Sequence, residues 1–327
     1  MSANQLKRLR IMPLLTALGP FFGLLLVIGL FSIDSEVRSY FLTGPNFKII
    51  LVQTVIVAIG ALGMTMIIVS GGIDLSVGST VALTSVVGAS VLMRYHSPTL
   101  AILLTLLVGG GIGLVNGAIV SGFGMLPFIV TLGMMGIARG AAKWLANNQT
   151  VNPPDSVINN IMALVNPTQL WPLPWGVWVA VGLALVMRVL LQHTVFGRHI
   201  FAIGSNEATA RLCGIRVRTT KVMIYSLAGL LFGLSGLMQL SRLTQGDPTV
   251  AIGLELDIIA AVVIGGASLN GGAGSILGSM IGALIMAVLR NGSNQMNWPT
   301  YMQEIIIGAV IILAVGLDRL RQSKMSR

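Results

Sequence analysis

The sequence predicts an all-α fold: a polytopic membrane protein of about ten transmembrane helices, with broken or re-entrant glycine-rich segments and both termini cytoplasmic. Three observations carry that prediction. Of 327 residues, 54% are hydrophobic and only 9% charged, against about 25% charged in an ordinary soluble domain. Uncharged apolar stretches near the length of about 20 residues that a helix needs to cross a bilayer recur at 11–33, 49–73, 75–93, 95–138, 156–187, 222–241 and 258–289. The basic residues, finally, gather at the ends of those stretches. A closed barrel would instead show short alternating segments, and none occur.

In order, the predicted spans are about 11–33, 48–70, 74–93, 99–120, 127–145, 175–192, 222–241, 254–267, 273–290 and 302–317. "LKRLR" (6–10) precedes the first, and without a small-residue cleavage pattern after it the first span is expected to be retained. The run 95–138 is too long for one crossing and breaks at "GFGMLP" (122–127), a Gly and Pro turn signal. Residues 146–174 are polar and Pro-rich, so they read as the large external loop, with Trp171, Trp175 and Trp178 as interfacial aromatics at its end. The segment 254–267 is short, carries Glu255 and Asp257, and ends in "IGGASLNGGAG"; it reads as a crossing or as a re-entrant segment. Either way the chain forms one transmembrane domain, 1–327.

Charge sets the expected sidedness. Lys7, Arg8 and Arg10, then Arg198, Arg211, Arg216, Arg218 and Lys221, then Arg319, Arg321, Lys324 and Arg327 hold 12 of the 20 basic residues. Cytoplasmic loops concentrate Lys and Arg, which places both termini and the loop 193–221 inside. Topology thus accounts for the net charge of +10 without nucleic acid.

Asp74 breaks this pattern. It lies in "VSGGIDLSVGSTVAL" (69–83), with no charged neighbour from Ile49 to Met93. A carboxylate at the centre of a membrane helix costs roughly 2.5–3.5 kcal/mol, and non-helical backbone is tolerated at depth only inside protein or beside water. A break between two helices lowers both costs: Asp74 caps the free N–H of Ser76 or Val77, and the helix dipole favours its charge. Gly71 and Gly72 permit the turn, and Gly78 permits close packing. Two roles stay open for Asp74, a structural cap and a part in gating or solute passage. The stretch also aligns without gaps to "VIGGASLNGGAGSIL" (263–277), with six of fifteen positions identical, which leaves an internal duplication open.

Other chemistry is missing from the sequence. None of the five lysines follows a glycine, so a phosphate-cradling loop is absent. His96, His193, His199 and Cys213 lack ligand spacing, which predicts no metal site, and no nucleophile–base set points to catalysis. Asp34, Glu36, Asp155, Asp247, Glu255 and Asp257 fall on the external side by this reading, so beyond Asp74 only Glu304 lies near a span, too few acids for an ion-coupled carrier.

Four motifs arrive in order: "GMTMIIVSGGIDLSVGS" (63–79), "GLVNGAIVSGFGMLPFIVTLGMMGIARG" (113–140), "FGRHIFAIGSNEATARLCGI" (196–215) and "ELDIIAAVVIGGASLNGGAGSILGS" (255–279). Over nearly its whole length the chain resembles the membrane permease subunits of bacterial ribose-type sugar ABC importers. The resemblance implies a multi-pass subunit of the inner membrane that moves a small sugar. It further implies an ATP-binding partner that holds the ATP and Mg, a periplasmic solute-binding protein, and a second permease chain, identical or related. A permease for branched-chain amino acids is the nearest alternative; an ion-coupled carrier and a non-transporting scaffold lie further off.

Two groups of candidate residues follow. "SNEATARLCG" (205–214) reads as a two-turn helix that Ser205 or Asn206 caps and Gly214 stops, with Glu207 suited to its positive end. The resemblance makes it the helix that couples to the ATPase, through Ser205, Asn206, Glu207, Ala208, Arg211 and Leu212. Asn116, Thr131, Arg139 and Asn270 match polar positions of the family motifs and join Asp74 as candidates for the translocation path or gate. For Arg139, snorkelling toward the outer surface beside Lys143 is the competing reading.

Overall fold

The computed structural model describes residues 19–164 and 172–325. Lys7, Arg8, Arg10, the start of the first predicted span, Trp171 and Arg327 lie outside the described residues. The described chain is helical, and its one β feature is a bridge between Val151 and Gly246. The helices are α1 Gly19–Ser32, α2 Ser35–Phe41, α3 Gly44–Val69, α4 Val77–Tyr95, α5 Pro98–Phe123, α6 Pro127–Leu145, α7 Trp175–His193, α8 Val195–Ser205, α9 Glu207–Leu212, α10 Val217–Leu243, α11 Leu254–Ile264, α12 Ile276–Gln295 and α13 Thr300–Met325.

Their ends follow from the sequence. Asp34 Oδ1 accepts from the backbone N–H groups of Glu36 and Val37 at 2.9 and 3.2 Å and starts α2. Thr43 and Ser97 cap α3 and α5, each just before a proline in the first turn, where its missing N–H costs nothing. Apolar on every side, α3 runs through the centre and is buried over most of its length. Against it packs a tight pair, α5 and α10. Gly109, Gly113 and Gly117 face Gly229, Gly233 and the backbone around Tyr225, and a Cβ at Gly113 would overlap the Tyr225 carbonyl. Small residues at four-residue spacing let the two backbones approach this closely.

Among the described residues, seven helices are long and apolar enough to cross a membrane: α3, α4, α5, α6, α7, α10 and α12. Gly19–Ser32 and Thr300–Leu313 are shorter apolar helices. The segment read as a crossing or a re-entrant segment at 254–267 holds a helix shorter than a full crossing needs. α11 has 11 residues, about 16 Å at 1.5 Å per residue, roughly half the hydrocarbon thickness. Its partner α12 runs over Ile276–Gln295 rather than 273–290. The loop after residue 146 is also more ordered than its polarity implies. Val151 and Gly246 exchange backbone hydrogen bonds at 2.8 Å, and Ser241 Oγ donates to the carbonyl of Ile158 at 2.5 Å.

The two aligned segments share a local backbone feature, although not in the register of the gapless alignment. α3 and α11 end alike: Gly72 N–H donates to Ile67 O at 2.9 Å and Ala267 N–H to Val262 O at 3.1 Å. Gly71 and Gly266, each two residues past its helix, adopt φ of +83° and +92°, as this αL termination requires. The alignment pairs Gly71 with Gly265 and misses that equivalence by one residue. It also sets Val77, which opens α4, against Gly271, although α12 does not begin until Ile276.

Candidate functional site

The break between α3 and α4 is a polar cluster enclosed by apolar helices. Asp74 is 1% exposed, and Asn116 and Thr131 are fully buried. Asp74 Oδ1 accepts from Ser76 N–H at 2.8 Å and from Ser76 Oγ at 2.6 Å. Asn116 Nδ2, from α5, donates to Asp74 Oδ2 at 3.2 Å and to Ser76 Oγ at 3.1 Å. Thr131, from α6, accepts the Leu75 N–H at 3.1 Å, and its own proton faces the carbonyls of Pro127 at 3.0 Å and Ile73 at 3.2 Å. Unpaired backbone polar groups at this depth are costly, and these three side chains take up much of what the break exposes.

Tyr225 of α10 completes the enclosure, and the sequence reading did not single it out. It is 2% exposed, and a Cβ at Gly72 would come within 2.5 Å of its hydroxyl. Its hydroxyl is buried without a hydrogen-bond partner among the described residues, and a tyrosine inside an apolar span was the available signal.

Arg139 and Asn270 lie elsewhere. Arg139 Nη1 donates to the carbonyls of Pro248 at 2.8 Å and Val250 at 2.7 Å, so its guanidinium clamps the segment between α10 and α11. Asn270 sits in the second break, where its N–H donates to Ser268 Oγ at 3.2 Å. The acids beside α11 also correct the sequence reading. Asp257 is 2% exposed and pairs with Arg290, its Oδ2 lying 2.7 Å from both Nε and Nη2. Glu255 rests against Gly78 of α4. Asp74 is therefore not alone among acids within the bundle, and Glu304 is exposed.

The basic loop holds two helices rather than one. α8 is amphipathic, begins at the Thr194 cap and buries Ile200 and Ile203. Ser205 is its last residue and caps nothing; Asn206 Oδ1 caps α9 by accepting from Thr209 N–H at 2.9 Å. Gly214, with φ +84°, follows Cys213 past the end of α9. Glu207 bridges Lys221 at 2.6 Å and Arg211 at 3.1 Å. The Lys221 hydrogen bond, opposed by partial burial, holds the Glu207 carboxyl below the usual carboxylate range. Ala208, Thr209, Arg211, Leu212 and Cys213 are exposed. Leu212, at 89%, is the most exposed large apolar side chain among the described residues.

The two regions touch. Gly204, near the end of α8, packs against the carbonyl of Val69, the last residue of α3, so closely that a Cβ there would overlap it. Gly272 N–H of the second break donates to that same carbonyl at 2.8 Å. Gly271 and Gly272, at φ +85° and +74°, lie against the backbone of Gly204 and Ser205. One carbonyl thus joins α8, the break that carries Asp74 and the break that carries Asn270.

Comparison with known proteins identifies the family. The family described as "Branched-chain amino acid transport system / permease component" matches residues 46–315. The ribose import permease protein RbsC of Escherichia coli (strain K12) is 41% identical over 300 residues, 92% of this chain and 94% of that one. The protein of the same name from Bacillus subtilis (strain 168) is 39% identical over 314 residues, 96% of each chain. The L-arabinose ABC transporter permease protein AraH of Azospirillum brasilense is 34% identical over 284 residues, 87% of this chain and 83% of that one. No solved structure matches. With its apolar helices, its paired breaks and similarity along nearly its full length, the chain belongs to this family of ABC transporter permease components.

Proposed function

We propose that the chain is the membrane-spanning permease subunit of an ATP-driven importer for a small monosaccharide, ribose or a close relative. The substrate class rests on relatives named for ribose, L-arabinose and D-allose. ATP hydrolysis belongs to a partner subunit, delivery to an external solute-binding protein, and the pore to two permease chains in the inner membrane. In this reading α1, α3 to α7 and α10 to α13 make ten passages, α11 being a half-length one, and α8 and α9 lie on the cytoplasmic side.

The observation that carries the mechanism is the Val69 carbonyl, shared by α8 and by both breaks. A displacement of α8 and α9 reaches Val69 directly, and with it the turn at Gly71 that leads into Asp74. In this reading Asn206 and Glu207 shape α9. Ala208, Arg211 and Leu212 offer it to the ATPase, Ser205 links it to α8, and Asp74, Asn116 and Thr131 form the element that moves. Arg139 positions the segment after α10.

Reconstitution tests this. Vesicles containing the permease, its ATP-binding subunit and its binding protein should take up D-ribose, L-arabinose, D-allose or D-fructose only with ATP inside the ATPase-facing compartment. Uptake of leucine and of no sugar favours the amino-acid reading that the family description carries. Full activity of the lone chain refutes the ABC reading.

A further inference from the structure

We propose that a cavity between α3, α10, α11 and α12, inside one chain, is a binding site for a small neutral solute rich in hydroxyl groups. The inference rests on the sugar-permease reading and adds a stopping place apart from the Asp74 cluster. The cavity measures about 310 Å³, and its polar lining is Gln53, Gln239, Arg242, Asp257, Arg290 and Asn294. Gln53 precedes Val69 by 16 residues, about 24 Å along α3, which puts the cavity at the end of the bundle away from α8. Its volume falls at the lower bound of ligand sites, about 300–1,000 Å³. At about 30 Å³ per water it accommodates roughly ten waters, close to the non-hydrogen atom count of a pentose.

Donor and acceptor accounting selects the ligand. Asp257 gives Oδ2 to Arg290, and its Oδ1 is buried without a hydrogen-bond partner among the described residues. Gln53 Oε1 is buried and unpartnered in the same way. A carboxylate oxygen only accepts, so what is missing beside Asp257 is a donor. Across the cavity, Arg242 brings a guanidinium that donates to no described residue. An anion satisfies Arg242 but leaves Asp257 and Gln53 facing another acceptor. A cation meets two arginines against one aspartate. Hydroxyl groups donate and accept at once and answer all three side chains. The wall is held as well: Arg139 clamps Pro248 and Val250, and the next residues, Ala251 and Ile252, line the cavity.

The test is protection of a single thiol. Cys213→Ser removes the native cysteine, and Gln239→Cys places one in the cavity wall; Ala251→Cys replaces it if the first variant does not fold. The assembled importer in nanodiscs is treated with methyl methanethiosulfonate, and the surviving thiol is read with a fluorescent maleimide. D-ribose, L-arabinose, D-allose and D-fructose are the probes, with inorganic phosphate as the anion. At least one sugar should slow modification threefold or more while phosphate does not, and Gln53→Leu and Arg242→Gln should remove the protection without lowering the melting temperature. Equal protection by phosphate overturns the assignment in favour of an anion site. An importer that transports a sugar while none of the four protects either thiol overturns the cavity and leaves the sugar-permease reading standing. Failure to transport any sugar overturns that reading instead, and it is measured separately.

Discussion

Replacing Asp74 separates a cap from a pathway residue, because the structure fixes which bonds each substitution keeps. Asp74→Ala removes the acceptor of three hydrogen bonds. Asn116 Nδ2 retains Ser76 Oγ at 3.1 Å, and the Ser76 hydroxyl rotates, so the group left stranded is the buried Ser76 N–H. An unsatisfied buried donor costs about 1–3 kcal/mol. The bond is an i to i+2 turn onto Ser76, the residue before α4, which has no side-chain cap of its own, so no separate capping energy is added. A loss of about 2 kcal/mol lowers the folded-to-unfolded ratio roughly 30-fold. Asp74→Asn behaves differently. Its amide oxygen keeps both Ser76 bonds, and its new NH₂ meets Asn116 Nδ2, donor against donor. Asn116 Oδ1, however, is buried and unpartnered, so turning that amide over restores the contact, and the expected cost is below about 1 kcal/mol. Size-exclusion profiles after heating in detergent, with uptake measured in parallel, should rank wild type and Asp74→Asn close together and Asp74→Ala well below. An Asp74→Asn protein as unstable as Asp74→Ala refutes the bond accounting. An Asp74→Ala protein that melts like wild type yet takes up nothing refutes the cap and makes Asp74 part of the path.

Three further expectations follow from the loop and its contacts. Gly204→Ala forces α8 off the Val69 carbonyl, and coupled uptake should fall at least tenfold while the ATPase still copurifies; unchanged uptake refutes the mechanical link. Because its folded pKa is depressed by Lys221, Glu207 contributes stability that is present above the ordinary glutamate pKa of 4.5 and lost as pH falls through the lower folded value. Melting curves of wild type and Glu207→Gln should therefore stay apart at neutral pH and converge in acid, by a small amount because the carboxylate is 43% exposed; a gap that widens on acidification refutes the sign. Cys213 is exposed beside α9, so an impermeant maleimide should label it in inside-out vesicles and more slowly once the ATPase is restored. Labelling from outside intact cells refutes the sidedness.

What the sequence disclosed and what it hid divide along the range of the interactions. The first break was legible because a lone carboxylate in an apolar run, flanked by glycines, is a local contradiction. The cap of α9 by Asn206 and the stop near Gly214 were equally local. Asp257 and Arg290 lie 33 residues apart, and nothing along the chain says that they meet, so Asp257 read as an external acid. Asn116 and Thr131 entered through the resemblance, since a polar residue in a span does not name its partner. Tyr225 was missed for the same reason. α8 was within reach: Phe196, Ile200 and Ile203 recur at helical spacing, but the density of arginines around them made the segment read as loop.

The two breaks share hydrogen-bonding side chains but differ in what limits substitution, and their tolerance to mutation should differ accordingly. At 70–76 side chains supply the missing partners, so what matters there is hydrogen-bonding capacity. Thr131→Ser keeps the hydroxyl that accepts Leu75 N–H and loses one methyl, a cost of about 1 kcal/mol. Thr131→Val keeps the shape but strands that N–H, at about 1–3 kcal/mol. At 265–275 Ser268 and Ser275 also accept backbone N–H groups, but the packing of α11 against α12 depends on the absence of side chains. Gly278 lies against the Gly265 carbonyl and Gly282 against the Ala261 carbonyl, where an added Cβ would overlap backbone rather than a movable side chain. Overpacking of this kind costs typically 1–3 kcal/mol, and more where the neighbour cannot give way. Gly278→Ala and Gly278→Ser should therefore both fail to yield a monodisperse protein, the serine hydroxyl rescuing nothing, while Thr131→Ser remains close to wild type. A Gly278→Ala protein that melts with wild type, or a Thr131→Val protein that outlasts Thr131→Ser, contradicts this division and requires both breaks to be specified in the same way.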